Sequence, residues 1–256
     1  MNYEDFKHLE FERLDDSIVI IHINRPDVLN ATNAVLHREL KEVWLTVGSD
    51  PTAKVALITG RGKAFSAGGD FELLDSIANS YDTVLKVMDE ARQIVENMIN
   101  LDKPIVSAIN GVAVGAGLAV ALSADISIVG ENVTLIDGHL KFGVTAGDHA
   151  CLIWPMYISI SKAKYYLLTG DKLNGIEAER IGLVSKCVKD GSVFDEAITI
   201  AQKLNKGNES AIKFTKRSLN HYFRTNWPIF ESSLALEMLN FLSDDTRKSI
   251  SEFKAK

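Results

Sequence analysis

The chain has almost no cysteine: Cys151 and Cys187 are its only two. Two are too few for a disulfide framework, and neither has the paired spacing of a zinc site, so a reducing compartment, the cytoplasm, is expected. No apolar run reaches the roughly 18 residues that a membrane span needs. The first residues, Met1-Asn2-Tyr3-Glu4-Asp5, are acidic where a secretory leader would be apolar. Association with a membrane is therefore not expected. Basic runs are missing too. The 28 Lys+Arg are scattered and outnumbered by 34 Asp+Glu, for a net charge of -6, which leaves no electrostatic footprint for nucleic acid. No Pro/Ser-rich linker divides the chain. What remains is 256 residues, 46% of them hydrophobic, enough for one full core with or without a helical appendage.

From His8 to Asn24 polar and apolar residues alternate and then run apolar through Ile18-Val19-Ile20-Ile21-His22-Ile23, broken at Asp15-Asp16, as in a hairpin entering a buried sheet. Ala31 to Val47 carries Val35, Leu36, Leu40, Val43 and Trp44 at helical spacing, and Val55-Ala56-Leu57-Ile58 is a compact strand. The unit recurs with a helix around Thr83 to Met98, a strand from Pro104 to Ile109, a glycine-rich turn, a short helix, and strands near Ile126 to Val129 and Val133 to Ile136. Repeats of this size predict an α/β fold in which successive turns stack. Beyond Asp148 strand signals cease and helical patterns run to the end.

Two glycine-rich segments each follow a strand. The first is Gly62-Lys63-Ala64-Phe65-Ser66-Ala67-Gly68-Gly69-Asp70. Its small residues let backbone approach a ligand, and N–H groups at a strand end can be aimed into a cleft as an oxyanion hole, although the same glycines would serve a tight turn. The second, Asn110-Gly111-Val112-Ala113-Val114-Gly115-Ala116-Gly117, opens a helix whose first-turn N–H groups favour developing negative charge. Gly115-Ala116-Gly117 also begins like a dinucleotide fingerprint, with Asp137 20 residues beyond Gly117, but Val120 stands where the third glycine belongs. A nicotinamide-dependent oxidoreductase is thus a remote alternative.

Together the two turns resemble the enoyl-CoA hydratase/isomerase, or crotonase, superfamily. The resemblance runs through Asn24-Arg25-Pro26, Leu29-Asn30-Ala31, Ala64 to Asp70, Lys103 to Gly111, Ala124-Asp125-Ile126, Leu168-Thr169-Gly170 and Gly182-Leu183-Val184. It implies a crotonase-like spiral of repeated ββα units over residues 1–195 and a C-terminal helical region over 196–256 that serves oligomerisation, giving a homotrimer or a hexamer. It further implies an acyl-CoA thioester as substrate, with coenzyme A part of that substrate and no other cofactor or metal. The two oxyanion-hole N–H groups would come from Gly69 and Ala116, with Ala64, Ala67, Gly68, Asp70 and Gly115 around the substrate. Two such donors would stabilise a thioester enolate by about 3 kcal/mol. Arg25, Arg61 and Lys63 lie nearby in sequence as cations for the phosphates.

The chain departs from the family at the catalytic carboxylates. The hydratases' two glutamates are replaced by Ala119 and His139. His139 is therefore the first candidate for proton transfer, as an imidazole largely neutral at pH 7. Asp148 is the second, one residue past the position of a working aspartate in dienoyl-CoA isomerases, and equally placed to cap the helix that follows it. Asp137 would orient His139 if the segment is extended, since residues i and i+2 share a face. His149 reads as a first-turn helix residue, and His8, His22, His37 and His221 have no companions suggesting a site. The loss of both glutamates keeps open an acyl-CoA-binding homologue without hydratase activity.

Overall fold

The computed structural model of the protein describes residues 2–254. A hairpin of β1 (Leu9–Leu14) and β2 (Ile18–Ile23) turns through Asp15 and Asp16, both at positive φ, where the break in the pattern predicts it. It is followed by α1 (Ala34–Ser49), β3 (Val55–Gly60), β4 (Ala64–Ser66), α2 (Phe71–Asn79) and α3 (Tyr81–Asn100). Then come β5 (Ile105–Ile109), β6 (Val112–Val114), α4 (Gly115–Ser123), β7 (Ile126–Gly130) and β8 (Leu135–Ile136). The remainder is α5 (Ala150–Tyr157), α6 (Ile160–Thr169), α7 (Gly175–Ile181), β9 (Lys186–Val188), α8 (Val193–Asn205), α9 (Glu209–Leu219), α10 (His221–Thr225), α11 (Trp227–Phe241) and α12 (Asp244–Lys254). Among the described residues no helix is long and apolar enough to cross a membrane.

The strands form two sheets. The larger has the order β1-β2-β3-β5-β7-β9, parallel except for the hairpin, and the smaller is β4-β6-β8, all parallel. Each coil of the chain lays one strand in the large sheet and the next in the small one, then returns, so the α/β spiral of ββα units is the observed architecture.

The unbroken apolar run of β2 is explained by burial on both faces. Val19, Ile21 and Ile23 enter the main core with Ala56 and Ile58, while Ile18 and Ile20 point the other way with Val55 and Leu57. That second face is covered by Val193, Ala197 and Ala201 of α8, one stripe at a spacing of four. The division expected between 195 and 196 therefore falls inside a helix that roofs the sheet. A strand also lies beyond Asp148, contrary to the sequence pattern: β9 is only three residues long, at the sheet edge, and too short and polar to show periodicity.

Candidate active site

The three strands of the small sheet run parallel, with Ser66 beside Ala113 after a register shift past Ala64 and Val114 beside Ile136, so their C-terminal ends meet at one edge. There the chain continues as Ala67-Gly68-Gly69-Asp70 after β4, Gly115-Ala116 after β6 and Asp137-Gly138-His139 after β8. All nine residues line one cavity of about 550 Å³. Ala64, expected beside them, is buried within β4, where its carbonyl accepts from the Asn30 side chain at 2.8 Å, and it does not face the cavity. The reason is its place inside the strand rather than past its end.

The backbone around Gly69 is held by Thr32. Thr32 N–H donates to Gly68 O at 2.7 Å and Asp70 N–H donates to Thr32 O at 3.0 Å, which leaves the Gly69 N–H outside the ladder. The turn needs Gly68 at φ +87°, a left-handed conformation, and a Cβ there would meet Val114 O at 3.1 Å. Asp70 caps α2 by accepting from Leu73 N–H at 3.0 Å. Ala116 is the second residue of α4, whose first-turn N–H groups have no intrahelical acceptor, and the N-cap Val114 offers no side chain to cap them. Gly117 belongs to packing, since a Cβ there would fall 2.4 Å from Ser66 Cβ. A pyrophosphate-binding glycine is not what this position requires.

His139 sits among three carboxylates from three parts of the chain. Its Nδ1 lies 3.0 Å from Asp137 Oδ2, and its Nε2 is 3.6 Å from Asp148 Oδ1 and 3.6 Å from Glu237 Oε1. The segment is not extended: β8 ends at Ile136, Gly138 has φ +83°, and a 3-10 turn begins at His139. Asp137 reaches the imidazole through that turn. Asp148 does not cap α5. The N-cap is His149, and Asp148 Oδ1 instead lies 2.5 Å from His149 Nδ1, completing a chain from His149 through Asp148 to His139.

Two participants were not legible in the sequence. Glu237 comes from α11, is 3% exposed, and its Oε2 has no hydrogen-bond partner among the described residues. His37 also lines the cavity, and its Nδ1 lies 2.9 Å from Oε2 of Glu90, a buried pair joining α1 to α3. His149, read as an ordinary helix residue, is fully buried within the network.

Burial alone would depress the His139 imidazole. The surrounding Asp137, Asp148 and Glu237 outweigh that and raise its pKa well above 6.5. The three carboxylates thus favour the imidazolium, whereas the reading above took the ring as largely neutral. Glu237 is pushed up to about 7, first by burial and further by Asp148 and Asp137, with His139 opposing. For Asp148, burial acts to raise the pKa, but His149 and His139 prevail and hold it below the usual carboxylate range. His139, Asp148 and Glu237 present ligand atoms within 4.8 Å of one another, a spacing that suits a cation, and the imidazolium already places a positive charge there.

The rest of the cavity is largely apolar, with Leu73, Leu74, Ile77, Val87, Ala91 and Met238 in its wall. Among the lining residues Lys141 is the one lysine or arginine. Arg25 donates to Ala31 O and lies 3.4 Å from Asp70 Oδ2, while Arg61 is paired with Glu10 at 3.2 Å and with Glu12.

Residues 13–256 match the family model for enoyl-CoA hydratase/isomerase. The chain is 27% identical to the crotonyl-CoA hydratase of Syntrophomonas wolfei, covering 94% of this chain and 93% of that one. An enoyl-CoA hydratase/isomerase from Mycobacterium paratuberculosis superposes with a TM-score of 0.92 at 37% identity, over 97% of this chain and 99% of that one. ABDH, a β-diketone hydrolase from Anabaena, superposes with a TM-score of 0.86 at 25% identity, over 94% and 96%. Family, spiral fold and cavity agree: the chain is an enzyme belonging to the enoyl-CoA hydratase/isomerase family.

Proposed function

We propose that the enzyme hydrates an enoyl-CoA thioester, with Gly69 and Ala116 N–H groups holding the carbonyl oxygen and the His139–Glu237 pair moving the protons. The observation that carries this reading is His139 Nε2 lying 3.6 Å from Glu237 Oε1, in the cavity that Gly69 and Ala116 also line. Ionised Glu237 takes a proton from water as its oxygen bonds to the β-carbon, and the π electrons move into a thioester enolate. The two N–H groups stabilise that charge, since donors aimed at developing charge contribute most in a water-poor site. His139 Nε2 then gives a proton to the α-carbon. Glu237 returns its proton to His139, and the pair is reset.

Kinetics of His139→Ala and Glu237→Gln on a panel of enoyl- and dienoyl-CoA thioesters test this. Each variant is expected to lose about 10²–10⁴ in kcat. Full activity in both removes the pair from the mechanism, and tight thioester binding without turnover by the unsubstituted protein means a binding homologue.

A second reading is favoured by the cavity's charge: Arg25 and Arg61 are tied into ion pairs, and Lys141 is the one lysine or arginine in the lining. A neutral β-diketone needs no phosphate-binding cations. Water activated by Glu237 would add to one carbonyl, the carbon–carbon bond would break to give a carboxylic acid and an enolate, and His139 would protonate that enolate. The β-diketone hydrolase among the structural neighbours supports this version. Turnover of β-diketones with none of enoyl thioesters would select it. For the assembly, a homotrimer or hexamer is supported by Ile229, Leu236 and Leu239 of α11, which stay exposed while Phe230, Leu234 and Phe241 fold back on their own core.

A further inference from the structure

We infer that Phe253, on the C-terminal helix, is a specificity-determining residue that completes an aromatic roof over the cavity and selects substrates bearing a flat ring beside the reacting carbonyl. The inference rests on the carbonyl-binding role proposed for Gly69 and Ala116. Three phenylalanines from three elements meet there: Phe71 from α2, Phe142 from the 3-10 turn that begins at His139, and Phe253 from α12. Ring centroids are 5.6 Å apart for Phe71 and Phe253, at an interplanar angle of 29°, 4.9 Å for Phe142 and Phe253, and 6.2 Å for Phe71 and Phe142. All three line the cavity.

Helix α12 does not need Phe253 for its attachment. Arg247 Nε donates to Ala78 O at 2.9 Å, Thr246 Oγ1 donates to Gly143 O at 2.9 Å, and Ile250 is buried in the core. These contacts fix the start and middle of the helix, and Phe253 projects beyond them. A ring recruited only for packing would be covered, yet Phe71 stays 38% exposed and Phe253 42% exposed. Open aromatic faces at a cavity are suited to stacking on a ligand ring. The position fits as well. Phe71 is two residues past Gly69 and Phe142 three past His139, and all four line the same cavity, so the roof shares one space with the proposed carbonyl-binding and proton-moving groups. A cavity of about 550 Å³ also exceeds the need of a four-carbon chain and lies in the range that holds a ring-bearing ligand.

The test is calorimetric binding of two unreactive pairs to the full chain: phenylacetyl-CoA against acetyl-CoA, and 4-phenyl-2-butanone against 2-butanone. The unsubstituted protein is expected to prefer the aryl member by about tenfold beyond what the same pairs show with Phe253→Leu, which keeps apolar bulk but removes the flat face. Phe253→Trp should retain the preference, and melting curves confirm that each variant is folded. Phe142→Leu provides a second measurement should Phe253→Leu not fold. Equal affinity within both pairs, an unchanged preference in the folded leucine variant, or no binding in either series overturns the inference. Failure of both thioesters with discrimination kept among the ketones overturns the thioester reading alone and leaves the roof standing.

Discussion

At the scale of single residues, the site is an imidazole set among three carboxylates. Because Glu237 titrates near 7 and the His139 pKa is raised well above 6.5, activity should rise with pH through about 7 as Glu237 ionises, and fall again above the His139 pKa. Asp137→Asn removes a negative charge from His139 Nδ1, so the alkaline limb of kcat/KM against pH should move to lower pH while the acid limb stays. An unmoved alkaline limb would detach Asp137 from His139. Glu237 also has a consequence for stability. Its folded pKa of about 7 lies above the ordinary glutamate value of 4.5, so the folded state holds a proton that the unfolded state releases, and stability falls as pH rises between those two values. Glu237→Gln removes that loss. It should raise the Tm at pH 8 relative to pH 5, by up to about 3 kcal/mol in free energy, while lowering activity; an equal effect at both pH values would contradict the raised pKa. Neither Glu237 nor the His37–Glu90 pair was legible from spacing. His139 and Glu237 stand far apart in the chain, and the helix carrying Glu237 shows an apolar pattern that reads as interface or core.

At the scale of elements, what was legible is what local rules decide. The hairpin turn, the two glycine turns and the helices from Ala150 onwards follow from alternation, periodicity and the small residues that close approach requires. β9 and the turn that brings Asp137 to His139 did not show, because three residues carry no period and because Gly138 hides a reversal inside an apparently extended run. The first turn of α4 offers a test of the oxyanion donor. Proline is tolerated in a first helical turn, so Ala116→Pro deletes one N–H with little effect on folding, and kcat/KM should fall by about 10²–10³. A variant that keeps its Tm and its full activity would exclude Ala116 as a donor.

At the scale of the whole molecule, the C-terminal helices are both shell and site. α11 packs on α3 and α5 and delivers Glu237, while α12 lies against α2 and the turn after His139. One side of α11 is therefore committed to its own cavity. Ile229, Leu236 and Leu239 remain outside, and light scattering is expected to give three times the 28.2 kDa chain mass, or six. A monomer would mean that these side chains serve another purpose.

The shared edge formed by the ends of β4, β6 and β8 has a further consequence. Each coil of the spiral brings one segment to the cavity, and in the proposed mechanism the first and second grip an oxygen while the third carries His139. A change of sequence after β8 would alter His139 and its partner Asp137 while leaving the turns at Gly69 and Ala116 in place, so the proposed grip and part of the proposed proton chemistry can vary independently.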